Sequence, residues 1–246
     1  MEGTPRDRDA ELLLARISEA AGRGHLGRRR ATYRAALHGV SAHGGRGAAI
    51  RVISRAAAAG ARRLRRPIGR KRVNAGARLD FFEHGITAVV DGRIHVIRSD
   101  TAVVRQRTAL SPQGITRAYV LNDVDGERIV LRGGDFGHAE VWEPELRRAV
   151  TDAQVPQALA ALAQGARLTF GPVWITEDEV GSGRMSMRWP QVQRIDTRHG
   201  SVAVRVAGRW QLLGTVASGI PNVFVFHALA EHLAGIRPPG AERGDD

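Results

Sequence analysis

Between Glu19 and Asp80 the chain carries no carboxylate, although sixteen arginine and lysine side chains lie there, from Arg23 to Arg78. Nothing local relieves their repulsion, and glycines are scattered from Gly22 to Gly76. Too little apolar area is left to offset about 1–2 kcal/mol of backbone entropy per ordered residue. A compact core is therefore not expected in this stretch. Residues 1–79 hold 19 basic against 5 acidic side chains, and residues 80–246 hold 18 against 20, so the leading third carries the whole formal net charge of +12. Residues 1–77 accordingly read as a basic, arginine-rich arm, partly helical or disordered.

The rest of the chain is limited differently. Of 246 residues 43% are hydrophobic but 5% aromatic, so the cores must be built from Val, Ile, Leu and Ala and should be thin. The absence of cysteine excludes disulfide staples, a thiol nucleophile and cysteine metal ligands. Lys71 is the single lysine beside 36 arginines, a bias that points to a GC-rich bacterial coding sequence. The polar start and the lack of any run near ~20 apolar residues lead to a cytoplasmic expectation, extending to the inner membrane face if the arm meets lipid.

Two stretches of the arm have helical character. Asp9 can cap a short helix with Leu12, Leu13, Leu14 and Ile17 on one side, ending near Gly22 and Gly24, and such a helix can dock on the body. If residues 48–66 are helical, Arg51, Arg55, Arg62 and Arg66 fall within about 60° of one another, with Ile50, Ile53, Ala57 and Leu64 roughly opposite. A basic amphipathic face of this kind suits anionic lipid or the phosphates of a nucleic acid, where each neutralised charge releases a counterion. A solvated arginine-rich linker has the same composition.

From Arg78 onward the texture is one of short strands and turns. Strand patterns occur at 79–82, 86–90, 93–98, 101–105, 117–121 and 128–131, punctuated by Asp91-Gly92 and Asp125-Gly126. Helical patterns follow at 144–154 and 156–164, with Pro156 starting a new helix or kink. Strand patterns then recur at 167–170, 173–177, 184–189, 191–196, 202–206 and 209–213, and Asn222 caps a last apolar helix, 223–233. Aligning the halves matches Phe81 with Phe170, Ile86-Thr87 with Ile175-Thr176, Arg98 with Arg188 and Gly126 with Gly208. A doubled small roll follows: residues 78–165, then 166–237, with a disordered tail at 238–246.

The marks Phe82-Glu83-His84-Gly85-Ile86, Phe170-Gly171-Pro172, Arg188-Trp189-Pro190-Gln191-Val192, Ile220-Pro221-Asn222 and the leading Leu26 to Tyr33 resemble a family of uncharacterised bacterial proteins. The resemblance implies an α+β, mainly β fold of two tandem pleckstrin-homology-like (PH-like) units, each a bent antiparallel sheet closed by a C-terminal helix. It implies no catalytic residue. Arg98 and Arg188 fall at the same strand end in each unit, where lipid-binding modules of that type place phosphate contacts; pairing with Glu83 or with Glu177 to Glu179 is the structural alternative. Trp189 is expected to plug its unit, its indole N–H finding an acceptor. Trp142, Trp174 and Trp210 read as core, but any of them exposed beside an arginine becomes a contact candidate.

Signals of catalysis are missing. His38 with His43, and His227 with His232, are five residues apart and point to different helix faces, so metal spacing is absent. Gly44 to Ala49 follows no strand, and no nucleophile elbow or phosphate loop occurs. Glu177, Asp178 and Glu179 read as a solvated acidic turn. The expectation is a binding or scaffold protein without enzymatic activity, cofactor or metal. Its partners would be an anionic lipid surface or a protein or peptide, with nucleic acid through the arm as the alternative, and its candidate contacts are Arg51, Arg55, Arg62, Arg66, Arg98 and Arg188.

Overall fold

The computed structural model describes residues 5–35, 76–111, 114–133, 135–198 and 200–235. Helix α1 (Pro5–Arg23) precedes an antiparallel sheet in which β1 (Arg29–Arg34), β2 (Arg78–Phe82), β3 (Gly85–Val90) and β4 (Arg93–Arg98) lie in chain order. A three-stranded sheet follows, β5 (Arg105–Ser111), β6 (Gly114–Asn122) and β7 (Arg128–Arg132), and then α2 (Ala139–Ala163). The same order recurs. β8 (Leu168–Phe170), β9 (Val173–Ile175), β10 (Glu179–Ser182) and β11 (Met185–Arg188) form one sheet. β12 (Val192–Arg198), β13 (Ser201–Val206) and β14 (Arg209–Val216) form another, followed by α3 (Val223–Leu233). The fold is α+β and mainly β, with four small antiparallel sheets among the described residues.

The first sheet is covered on both sides, and its sequence shows it. Leu79, Phe81, Ile86, Ala88 and Ile97 face the main core, while Phe82 and Val89 meet Ile17, Ala21 and Leu26 in a smaller core beneath α1. Alternation is lost when both faces are buried, so every residue of β2 is buried. The α1 helix docks as its apolar side allows, through Ile17 rather than Leu12, which stays 64% exposed. It begins at Pro5, which leaves Asp9 inside the helix instead of at its cap. Two-residue turns join β3 to β4 and β13 to β14. Asp91-Gly92 and Ala207-Gly208 each have two consecutive positive φ angles, the twist that suits a tight hairpin.

Several sequence expectations are corrected. Residues 29–34, counted with the arm, form the first strand of the first sheet, in register Tyr33↔Leu79 and Arg34↔Arg78. One of their cations finds an acid on the body: Asp80, fully buried, has Arg29 Nε at 3.3 Å and accepts two hydrogen bonds from Arg78 of the next strand (2.6 and 2.7 Å). The internal alignment ran one strand out of step in its early part. Phe81 lies in the second strand of its sheet and Phe170 in the first, because a long excursion of chain separates β1 from β2. Arg98 with Arg188, and Gly126 with Gly208, are in step, since each pair sits at an equivalent strand end or hairpin.

Three further differences have local causes. The strand expected at 101–105 begins at Arg105. A strand is gained at Glu179–Ser182, where Gly181 stands opposite Trp174 and any side chain would collide with the indole. α2 runs unbroken through Pro144 and Pro156, each of which removes one i→i−4 hydrogen bond without ending the helix.

Buried apolar residues of both units, from Leu79 to Leu229, form one continuous core, with α2 packed on α3. Asn222 ties the units together at its edge. Its Oδ1 accepts the Val104 N–H (2.7 Å), and its Nδ2 donates to Ala102 O (2.8 Å) and Gln154 Oε1 (2.9 Å). It stands at the N-terminus of α3, but its side chain makes no cap bond there.

Candidate functional site

Of the arginines singled out in the sequence, Arg51, Arg55, Arg62 and Arg66 lie outside the described residues. Arg98 and Arg188 both end the fourth strand of their sheets, but their surroundings differ. Arg98 holds Asp100, Nη2 to Oδ2 at 2.7 Å and Nε to Oδ1 at 3.0 Å, rather than Glu83. The hydrogen bond from Arg98 is the main influence holding the Asp100 carboxyl below its ordinary pKa, and Asp100 in turn raises that of Arg98. Arg188 makes no ion pair among the described residues. It shares a cavity of about 730 Å³ with Glu177, Asp178 and Glu179, so its neighbourhood is acidic.

Arg98 opens onto a basic groove of about 680 Å³ between α1 and the turns of the first unit. The last turns of α1 bring Arg16, Glu19 and Arg23, the β3–β4 turn brings Arg93, and the β6–β7 turn brings Val124 and Asp125. Gly24 lets the chain leave the helix against β4, since a Cβ there would lie 2.6 Å from Val96 Cγ1. The helix-end carbonyls of Ala20, Ala21 and Gly22 are taken by the N–H groups of Gly24, Leu26 and His25, so they do not draw on the arginines.

Besides the part-buried Arg98–Asp100 pair, the pairs within the groove are exposed ones. Arg23 meets Glu19 and Arg93 meets Glu127, each at 2.6 Å, with Arg side chains 71% and 68% exposed. Exposed pairs contribute about 0–1 kcal/mol, so a bound anion can replace either acid at little cost. Arg16 has no partner among the described residues. The groove thus gathers four guanidinium groups; Glu19 and Asp125 also line it, Glu127 and Asp100 pair with Arg93 and Arg98, and Arg16 is the cation left without an acid among the described residues.

Beside it, His95 Nδ1 lies 2.8 Å from Asp123 Oδ2, with Glu127 near enough to complete a three-ligand group. Those atoms are already engaged: Asp123 Oδ1 accepts the N–H of Asp125 and Glu127, and Glu127 Oε1 accepts from Arg93. Asp123 and Glu127 build the β6–β7 turn, and His95 of β4 ties it to the first sheet.

Trp189 is buried and its Nε1 donates to Thr176 O at 3.1 Å. Sequence reasoning missed Arg16 and Arg23, which acquire a role only once α1 is laid on the sheet.

A family model describing a family of unknown function, DUF6585, matches residues 77–237, the span of both repeated units. The chain belongs to DUF6585. No curated protein matches it. The DUF6585 match begins at the residue before β2, so α1 and β1, which complete the groove and the first sheet, precede the matched span. No described helix of this DUF6585 member is long and apolar enough to cross a membrane.

Proposed function

We propose that this protein is a binding protein rather than an enzyme, built from two PH-like units of bacterial origin. In this reading the arginine groove of the first unit docks on the headgroups of an anionic membrane surface at the inner membrane face. The observation that supports this most is the convergence of Arg16, Arg23, Arg93 and Arg98 around one open groove, where the exposed acid partners of Arg23 and Arg93 are exchangeable and Arg16 has none among the described residues. The four-plus-three strand order closed by a helix, found twice, is the arrangement the PH-like reading calls for. The arginine-rich residues 36–75, which include Arg51, Arg55, Arg62 and Arg66, add attraction to the same surface in this proposal.

Vesicle co-sedimentation of the full chain tests it. Phosphatidylcholine vesicles containing phosphatidylglycerol should retain the protein and pure phosphatidylcholine should not. Arg16→Ala combined with Arg98→Ala should weaken retention about 30-fold, taking about 1 kcal/mol per arginine at a charged surface. Retention unchanged by that double variant removes the groove from the account; binding to duplex DNA with none to vesicles favours nucleic acid as the partner of residues 36–75.

A further inference from the structure

The outer faces of the two three-stranded sheets carry arginines at matching positions. Counted from the β5–β6 and β12–β13 turns, Arg107 and Arg194 occupy the same place. The row across the first sheet reads Arg107, Ala118, Arg132, and that across the second reads Arg194, Arg205, Trp210. Both rows face away from the core. Tyr119 and Leu131 on the first sheet, and Val202 and Val204 on the second, point inward to it. Ala118 and Ala203 are buried outside it, beneath the longer side chains of the outer face.

The second face is the better equipped. Arg194 and Arg205 are direct cross-strand neighbours and both are exposed, an arrangement of like charges that destabilises a strand pair. Neither they nor Arg198 forms an ion pair among the described residues. Asp196, on the same strand, uses Oδ1 to accept its neighbour's Thr197 N–H. The Arg198 guanidinium lies over the half-buried Trp210 ring, 4.4 Å from its centroid, and Leu212 beside it is 50% exposed.

We propose that this face, distinct from the groove of the first unit, binds single-stranded nucleic acid. The forked guanidinium groups of Arg194 and Arg205 match phosphodiester oxygens in shape and charge. An acidic peptide would satisfy the same charges but brings no flat π-surface to the Arg198–Trp210 pair. A nucleobase does, because bases stack on guanidinium planes and aromatic rings alike. A duplex keeps its base faces hidden, so the pair selects single strands.

Fluorescence polarisation of the full chain with a labelled oligothymidylate, and with a duplex of equal length, tests this. Residues 36–75 are unchanged in every variant, so differences report the sheet face. Trp210→Ala should weaken the single strand about tenfold and leave the duplex unaffected. Should Trp210→Ala fail to fold, Arg198→Ala, at an exposed position, should weaken the single strand more than the duplex, which loses a charge contact but no stacking. Arg194→Ala with Arg205→Ala should weaken both ligands and flatten the salt dependence by between about 1 and 2 in log–log slope. Arg16→Ala with Arg98→Ala should leave oligonucleotide binding alone, which separates this surface from the membrane groove. Equal losses for duplex and single strand on removing the Arg198–Trp210 pair, an Arg194/Arg205 variant that binds like the parent, or retention on anionic vesicles with no oligonucleotide binding, would each overturn the proposal.

Discussion

Asn222 shows how one side chain can settle two demands. Its φ of 48° is left-handed, a region that asparagine tolerates better than most residues, and its amide closes three hydrogen bonds between the units. Asn222→Ala would strand the buried Val104 N–H and take the partner from Gln154 Oε1, while the Ala102 carbonyl keeps its bond from Gln154 Nε2, and would place a Cβ-bearing apolar residue in a strained conformation. Its expected cost is about 2–4 kcal/mol in urea denaturation. Asn222→Gly should recover only the backbone part, and a loss below about 0.5 kcal/mol for alanine would put Asn222 among ordinary surface positions. The sequence marks this residue as a helix start, and its position is right. That the amide reaches back 118 residues to Val104 is a tertiary fact with no local signature. Trp189 is the opposite case, because an indole followed by Pro190 and flanked by strand patterns has few ways to be satisfied except burial with an acceptor.

Among the elements, hairpins were the most legible and two strands the least. Asp-Gly and Ala-Gly turns declare themselves through glycine's freedom at positive φ. β1 did not, because Arg29, Arg30 and Arg34 hide the alternation of Ala31 and Tyr33, which pack toward the main core. β10 did not either, since Glu179 and Gly181 depress strand propensity and the glycine is explained only by the cross-strand Trp174 indole and the Met185 carbonyl. α1 was foreseen as a docking helix, and its hold depends chiefly on Ile17. Ile17→Ala should cost about 2–5 kcal/mol of local packing. Hydrogen exchange should then show α1 amides losing protection while those of β12–β14 keep theirs. Uniform loss across the chain would mean that α1 and the body unfold together. The basic groove depends on this docking, so it lay beyond a reading of residues 78–165 alone.

At the scale of the molecule, a doubled order does not mean two independent bodies. The apolar core runs through both units, and α2 rests on α3. Thermal unfolding followed by far-ultraviolet circular dichroism and by tryptophan fluorescence should therefore give one coincident transition. Two separated midpoints would show that the shared core does not couple the halves. The sequence conveyed the repeat through its order of strands and helix, while the thin, separate cores expected from composition merge because each unit's helix serves the other's boundary.

The Ala35 N–H donates to the Ala77 carbonyl at 2.9 Å, directly beyond the Arg34↔Arg78 pair. The ten cationic side chains between these two alanines thus belong to a segment whose two ends are anchored side by side, as a noose rather than a leash. A chain of this length held at both ends can stretch no farther than half its contour, roughly 70 Å at about 3.4 Å per residue. One protease cut inside it would leave both fragments joined through β1 and β2, and amputating residues 1–77 would tear a strand from the first sheet. Excising 36–75 behind a short glycine-serine bridge is the cleaner way to ask what those charges do.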